Sequence, residues 1–254
     1  MAKHLKKSLG QHLLTRPEVA EKIATFLSFE GYEHVVEVGP GQGILTQHLV
    51  KQKNKLVAVE FDQDMITVLE KTFTRDQLDL IQGDFLRINM HPFFDGQQFA
   101  LIGNYPYNIS SQIVFKMLEY RTRIPEMVGM FQKEMAARII APHGSKTYGG
   151  ISVLTQAYYS GEAMMTLKPG SFSPPPKVNS MVIRLRRKED YPEVEYKFLR
   201  RVVKSAFGKR RKKLSNALKG VVPVELLKEL YFADLRAEQL SVENFINIAQ
   251  HLGN

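Results

Sequence analysis

His34-Val35-Val36-Glu37-Val38-Gly39-Pro40-Gly41-Gln42-Gly43 is the stretch whose reading decides the fold. Its first five residues, three of them Val, make a short strand run. The run stops on a turn with Gly at every second position, Gly39, Gly41 and Gly43. Glycine enters positive φ without a steric penalty and lets a ligand come close to the backbone. Beyond the turn, Ile44, Leu45, His48 and Leu49 in ILTQHLVKQ keep helical spacing. Strand, glycine turn and helix form the opening unit of a sheet that binds a ligand at its strand ends.

The same alternation continues outward. Lys55–Phe61 (KLVAVEF) is a strand run, and Asp62 is placed to cap a helix whose Met65, Ile66 and Leu69 share one face. Leu78–Asp84 (LDLIQGD) and Phe99–Asn104 (FALIGN) are two further strands, each ending in a polar residue and a turn. Ser110 or Ser111 is positioned to cap a helix through IVFKMLEY, and the strand EMVGMFQ (Glu126–Gln132) leads into a helix through Met135 and Ile139. This order predicts an α/β fold, a doubly wound and mostly parallel sheet with helices on both faces. GEAMMTLKP and Met181–Arg187 (MVIRLRR) flank the loop SFSPPPK and suit a hairpin closing the sheet edge. EDYP (Glu189–Pro192) reads as a linker, and from Val194 the pattern is helical. Residues 1–188 are therefore expected to form one domain and 189–254 a small helical one.

Composition narrows the classes. The 254 residues are 44% hydrophobic and 24% charged, which excludes a disordered, collagenous or coiled-coil chain. No apolar run is long enough for a transmembrane helix, so no membrane partner is expected. Cysteine is absent, in keeping with a reducing cytoplasmic location and no thiolate metal site. Lys and Arg number 35 against 26 Asp and Glu, a net charge of +9. The last 71 residues hold 16 of the basic and 9 of the acidic side chains, so most of the positive field belongs there. Such a field attracts a polyanion, nucleic acid first among them.

Polar residues fall where an open parallel sheet binds ligands, at the carboxyl ends of its strands. Glu60, 21 positions after Gly39, can accept hydrogen bonds from ribose hydroxyls, and Asp84 one from an adenine amino group. The dinucleotide fingerprint requires Gly at the position held by Ile44, so that class fails. ExGxGxG with later acidic strand ends suits S-adenosylmethionine, which has no pyrophosphate. HGSKT (His143–Thr147) lacks the glycine a phosphate loop needs before Lys146.

Asn104-Tyr105-Pro106-Tyr107, after the fourth strand, resembles the NLPY motif of ribosomal RNA adenine methyltransferases. With GQHLL near the N-terminus, the glycine turn, GDFL and FSPPPKVNS, the chain resembles the KsgA (RsmA) family of small-subunit ribosomal RNA adenine dimethyltransferases, from about Leu9 to Leu218. It departs at Tyr105, usually Leu, and at His12, usually Asn. The resemblance implies a Rossmann-like S-adenosylmethionine-dependent sheet with His12, Leu14, Gly39, Glu60, Asp84 and Asn104 around the methyl donor, the N-terminal segment folded over it, and no metal. It implies two adjacent adenosines near the 3′ end of 16S rRNA, within an immature small subunit, as substrate, and a monomeric enzyme. An Erm-type enzyme acting on 23S rRNA is the nearest alternative. An assembly factor with little catalytic role is another.

The chemistry accounts for the motif. An adenine amine is a poor nucleophile because its lone pair is delocalised into the ring. Hydrogen bonds from its N–H groups to the Asn104 side-chain oxygen and to a carbonyl of the Tyr105–Pro106 stretch localise that pair, and proline stiffens the loop. Tyr107 would stack on the target base, and Phe172 resembles the family aromatic that covers its other face. For RNA, Lys197–Lys219 carries ten basic residues and no acid: Lys197, Arg200, Arg201, Lys204, Lys209, Arg210, Arg211, Lys212, Lys213 and Lys219. Leu199, Val202, Val203 and Ala206 are spaced to bury one helical face beneath them, and Lys3, Lys6 and Lys7 extend the charge.

Overall fold

The computed structural model describes residues 12–91 and 93–251. Lys3, Lys6, Lys7 and the Gly10-Gln11 start of GQHLL lie outside the described residues. In chain order the first half holds β1 (Leu13–Leu14), α1 (Pro17–Ala24), β2 (His34–Val38), α2 (Thr46–Leu49), β3 (Lys55–Glu60), α3 (Gln63–Thr72) and β4 (Asp79–Gln82). Then come β5 (Phe99–Asn104), α4 (Ser110–Glu119), β6 (Glu126–Gln132), α5 (Lys133–Ile139), α6 (Gly150–Gln156), β7 (Tyr159–Leu167), β8 (Phe172–Ser173) and β9 (Ser180–Arg187). The chain continues through α7 (Tyr196–Gly208), α8 (Leu214–Ala217), α9 (Val224–Glu229) and α10 (Val242–Gln250).

Seven strands form one sheet in the order β4-β3-β2-β5-β6-β9-β7. β4, β3, β2, β5 and β6 run parallel, and β9 is antiparallel to β6. The chain order reverses between β2 and β5, so a crevice opens beyond their carboxyl ends. The central strands are mostly apolar, because helices cover both faces of a parallel sheet, with Glu37 of β2 a buried exception. Phe99 to Ile102 and Met127 to Val128 have no exposed surface, and each such side chain stabilises the fold by roughly 1.5–3 kcal/mol.

Local chemistry sets the helix starts. Asp62 caps α3 through its Oδ1, which accepts from Asp64 N at 3.1 Å, and Met65, Ile66 and Leu69 are buried as their spacing predicts. α4 corrects the expected serine cap. Ile109 occupies the capping position, and the Ser110 hydroxyl instead donates to Tyr107 O at 3.1 Å, tying the helix to the turn before it. α2 is shorter than ILTQHLVKQ predicts, with Leu45 and Val50 as its flanking residues.

The residues divide into two compact units. One runs to Ala136 and adds Glu162–Arg187; the other combines Ala137–Gly161 with the chain from Lys188. The division after Arg187 lies next to the one the sequence predicts, but α6 belongs with the C-terminal helices. Gly150 explains this: a Cβ there would meet Val203 Cγ1 of α7 at 3.3 Å, and the Tyr148 and Phe207 rings meet edge-on at 5.9 Å. α7 buries Leu199, Val202, Val203 and Ala206, the face its periodicity predicts.

Candidate active site

A cavity of about 620 Å³ opens at the carboxyl ends of β2 and β5, lined by the glycine turn, Glu37, Asn104 and the N-terminal residues Leu13 and Leu14. A smaller space of about 60 Å³ adjoins the same turn and brings together His12, Gly39, Glu60, Asn104 and Tyr107. Five residues nominated from sequence thus converge there, and Leu14 lines the larger cavity.

The turn has the geometry its glycines allow. Gly41 (φ 58°) and Gly43 (φ 83°) both lie in the left-handed region. A Cβ at Gly41 would reach Leu13 Cδ2 at 3.0 Å, and one at Gly43 would reach Phe73 Cε2 at 2.8 Å, so both positions are closed to side chains. Glu60 is buried and fixes this turn. Its Oε2 accepts from Gly41 N at 3.1 Å, and its Oε1 accepts from Phe61 N and Asp62 N, both at 2.8 Å. A carboxylate has about four lone-pair sites, so one on Oε2 remains for a ligand hydroxyl. Phe61 directly after it is 63% exposed, an apolar ring left in water beside the site. Nothing in its periodicity distinguishes it from the strand it ends.

Glu37 was quoted in the motif but given no role from sequence. It is fully buried, lines the larger cavity and accepts from Thr46 Oγ1 at 2.7 Å. Burial pushes its carboxyl up to about 8, with the Glu60 charge adding to the rise and the Thr46 hydrogen bond opposing it. Among the described residues, neither cavity is lined by a lysine or arginine. The buried Glu60 carboxylate beside a Glu37 carboxyl that keeps its proton near neutral pH suits a nucleoside with hydroxyl donors and opposes a pyrophosphate.

Asn104 Nδ2 donates to His12 O at 2.8 Å, which orients the amide and leaves Oδ1 as its free acceptor. His12 Nδ1 bonds Pro174 O at 2.7 Å, and its ring lies 5.3 Å from that of Tyr107. Tyr107 is half-buried; its hydroxyl shares a 2.7 Å hydrogen bond with Ser180 Oγ, and burial raises its pKa. His12 thus contacts both the loop and the aromatic although it is not the usual Asn.

Tyr105, the other departure, is 1% exposed. Its ring packs edge-on against Phe131 at 5.2 Å, over two glycines. A Cβ at Gly129 would meet Tyr105 Cε2 at 2.4 Å, and one at Gly103 would meet Tyr105 Cε1 at 2.8 Å. The larger side chain is housed over these two glycines, while the residue still lines the smaller cavity.

Two nominated residues are placed differently from expectation. Asp84 follows β4, and its turn is tied to β3 by Gly83 N donating to Glu60 O at 2.8 Å. Its carboxylate accepts from Leu86 N at 2.9 Å and lies 3.5 Å from Arg87 Nε; it lines neither cavity. Lys116, missed in the sequence, braces this turn: its Nζ donates to Leu86 O at 3.0 Å and Ile88 O at 2.5 Å. Burial lowers the pKa of that lysine, with Glu119 and Asp84 opposing.

Phe172 is the second such residue. It is 4% exposed and belongs to the core cluster with Leu14, so in this conformation its ring does not face a base pocket. It sits in β8, which pairs antiparallel with β1 in the register Leu13↔Ser173 and Leu14↔Phe172. Thr15 adds two hydrogen bonds to Ser171 O, from N at 3.0 Å and from Oγ1 at 3.1 Å. The N-terminal segment therefore forms one wall of the larger cavity, and Phe172 anchors that wall.

In the C-terminal unit all ten basic residues of Lys197–Lys219 are exposed. Three have acidic partners: Lys197 with Glu195, Arg210 with Glu238 at 3.1 Å, and Lys213 with Asp234 at 3.0 Å. Arg210 also donates to Lys146 O and Tyr148 O, so it braces the loop before α6. Among the described residues, Arg200, Arg201, Lys204, Lys209, Arg211, Lys212 and Lys219 have no ion pair. No group of three or more His, Cys, Asp or Glu among the described residues is arranged to hold a metal ion, and no helix is long and apolar enough to cross a membrane.

Comparison with known proteins agrees with this geometry. The family model for ribosomal RNA adenine dimethylase matches residues 2–253. The Ribosomal RNA small subunit methyltransferase A of Flavobacterium johnsoniae is 47% identical over 249 residues, covering 97% of this chain and 95% of its own. A dimethyladenosine transferase from Plasmodium falciparum superposes with a TM-score of 0.83 at 25% identity, over 95% of this chain and 98% of that one. The 23S rRNA methyltransferase ErmE superposes with a TM-score of 0.69 at 23% identity, over 94% of this chain and 99% of that one, and so shares the fold. With a full-length family match and a relative this similar, the chain belongs to the ribosomal RNA adenine dimethylase family.

Proposed function

We propose that this chain transfers methyl groups from S-adenosylmethionine to the exocyclic nitrogens of two adjacent adenosines near the 3′ end of 16S rRNA. The observation that carries this reading is the meeting of the Asn104–Tyr107 turn with a cavity walled by Glu37 and the glycine turn. The relatives named for small-subunit rRNA, at up to 47% identity, favour 16S over 23S rRNA.

S-adenosylmethionine supplies an electrophilic methyl carbon on a positively charged sulfur. The chain does the rest by binding and orienting. Glu60 offers its remaining acceptor site to the ribose, with the exposed Phe61 ring beside it for the adenine face. Asp84, in the turn bonded to the end of β3, accepts from the adenine amine. Glu37 lines the cavity with a buried carboxyl held by Thr46, and Leu14 and Gly39 shape the wall.

On the substrate side, Asn104 Oδ1 accepts an N–H of the target amine, and a carbonyl of the Tyr105–Pro106 stretch accepts the other. The amine pair is thereby localised toward the methyl carbon. Fixed dipoles stabilise the positive charge that develops on nitrogen. The proton then leaves an acidic ammonium, so no strong general base is required. Tyr107, held by Ser180 and the His12 ring, stacks on the flipped base. Arg200, Arg201, Lys204, Lys209, Arg211 and Lys212, with Lys213 and Arg210 partly engaged within the protein, bind RNA phosphates. The natural substrate is an immature small subunit, the enzyme acts as a monomer, and its place is the cytoplasm.

The test is methyl transfer from radiolabelled donor to purified small subunits lacking the modification, followed by primer extension across both rRNAs. Stops at two adjacent adenosines near the 3′ end of 16S rRNA are expected. Stops in 23S rRNA, or no label transfer to either RNA, would overturn the reading.

A further inference from the structure

A second cavity lies wholly in the C-terminal unit and takes no part in the chemistry above. It has a volume of about 360 Å³, within the range of small-ligand sites, and a floor that includes Val224, Leu227 and Leu230. Lys219 and Lys228 line it, and neither has an ion pair among the described residues. The one acid in its wall, Asp234, lies 3.0 Å from Lys213 Nζ and is already matched. Glu225 and Glu229 share α9 with Lys228 but do not line the space.

Tyr231 stands at its edge and is 90% exposed. A ring that open would ordinarily be free to turn. Here it is held at two points: edge-on to the buried Phe232 ring at 4.8 Å, and through its hydroxyl, which accepts from Asn244 Nδ2 at 3.3 Å. A fixed, solvent-facing aromatic next to unpaired lysines has the make-up of a base-stacking platform, where the π-face takes the base and the cations take the phosphates. Lys219 also ends the acid-free basic stretch that begins at Lys197, so the positive surface leads into the cavity.

We propose that this cavity is a docking site for one unpaired nucleotide of single-stranded RNA, its base stacked on Tyr231 and its flanking phosphates on Lys219 and Lys228. The inference rests on the reading of the chain as an rRNA-modifying enzyme and locates a contact outside the methyl-transfer site. It predicts that the C-terminal unit distinguishes unpaired from paired RNA, because a base inside a duplex has no free face to offer.

The chain has no tryptophan, so Tyr231→Trp introduces a single indole at the proposed contact. The full-length variant is titrated with a single-stranded decauridylate and with a duplex RNA of equal length, reading indole fluorescence and, in parallel, anisotropy of labelled RNA. The single strand is expected to quench the indole at least twofold more than the duplex. Tyr231→Ala should weaken decauridylate binding about tenfold while leaving duplex binding unchanged. Lys219→Ala with Lys228→Ala should reduce the salt dependence of single-strand binding by ~1.4 in slope. Equal quenching by the two RNAs, or undiminished decauridylate binding by Tyr231→Ala, would overturn the proposal. So would an indole that responds to RNA-free small-subunit proteins and not to RNA, which would assign the cavity to a protein. Methyl transfer is measured on the same variants. If it persists while the indole is silent, this site fails and the enzymatic reading stands; if it is absent in the unsubstituted chain, the enzymatic reading itself has failed.

Discussion

Asn104→Ala removes two contacts at once, and they can be separated. The amide Oδ1 is the acceptor for the target amine, and Nδ2 donates to His12 O at 2.8 Å. Loss of one preorganised dipole in a catalytic site costs ~10²–10³ in kcat, or ~3–4 kcal/mol of transition-state stabilisation. Loss of the bond to His12 loosens the N-terminal wall and is worth about 1 kcal/mol, which belongs to donor binding. Asn104→Ala should therefore lower kcat at least a hundredfold and raise KM for S-adenosylmethionine about fivefold. Asn104→Asp keeps an acceptor, loses the donor and sets a carboxylate against a carbonyl, so it should retain more of kcat than alanine while losing as much donor affinity. The assay is methyl transfer to undermethylated small subunits with the donor varied, alongside direct donor binding by calorimetry. A kcat within tenfold of the parent for Asn104→Ala would refute the acceptor role. Equal kcat loss in both variants would show that the bond to His12, and not Oδ1, carries the effect.

Three further outcomes follow from the geometry. Gly129→Ala drives a Cβ into both the Tyr105 and the Phe131 rings and should destabilise the first unit by ~1–3 kcal/mol; adding Tyr105→Leu relieves one of the two contacts and should recover only part of this in urea denaturation. Gly103→Ala should not be recovered in the same way, because its Cβ also meets backbone, Val38 O at 2.6 Å. Glu37 has its folded-state carboxyl raised from 4.5 to about 8, so the folded chain holds a proton that the unfolded chain has lost; stability should fall as pH rises through that window, and Glu37→Gln should flatten the loss between pH 6 and 8 in denaturation midpoints. Charge reversal at Lys204, Arg211 and Lys212 should cut RNA binding and lower its salt slope by ~2–3, while Arg210→Ala should instead lower the melting temperature, because its guanidinium braces Lys146 and Tyr148.

The sheet was readable because parallel strands covered on both faces are rich in apolar residues, and HVVEV, KLVAVE, FALIGN and EMVGMFQ are such stretches, with polar residues chiefly at their ends. The glycine turn and the Asp62 cap were readable because local backbone chemistry restricts which residues serve there. Glu60 was nominated from its place at a strand end, and Asn104 and Tyr107 from the likeness of NYPY to the family motif. What the sequence concealed depends on distant pairing. β1 and β8 have two residues each, too short for a periodic signal, and they meet across some 160 positions, so the packing of Phe172 against Leu14 has no local signature. α6 carries the same apolar spacing whichever unit it packs on; only the close approach at Gly150 identifies the partner. Arg210 is indistinguishable in sequence from Arg211, and its bonds to Glu238 and two carbonyls arise from chain folded back from residues 146, 148 and 238.

The pairing of Leu13–Leu14 with Phe172–Ser173 has a consequence for biosynthesis. One wall of the larger cavity is made from the two ends of the first unit, so a nascent chain emerging from the ribosome carries the glycine turn and Asn104 long before the wall closes. Affinity for the methyl donor should therefore arise late in translation and in a single step, once about 175 residues are free of the exit tunnel. Truncated products of this gene would then neither sequester the donor nor compete with finished enzyme for it.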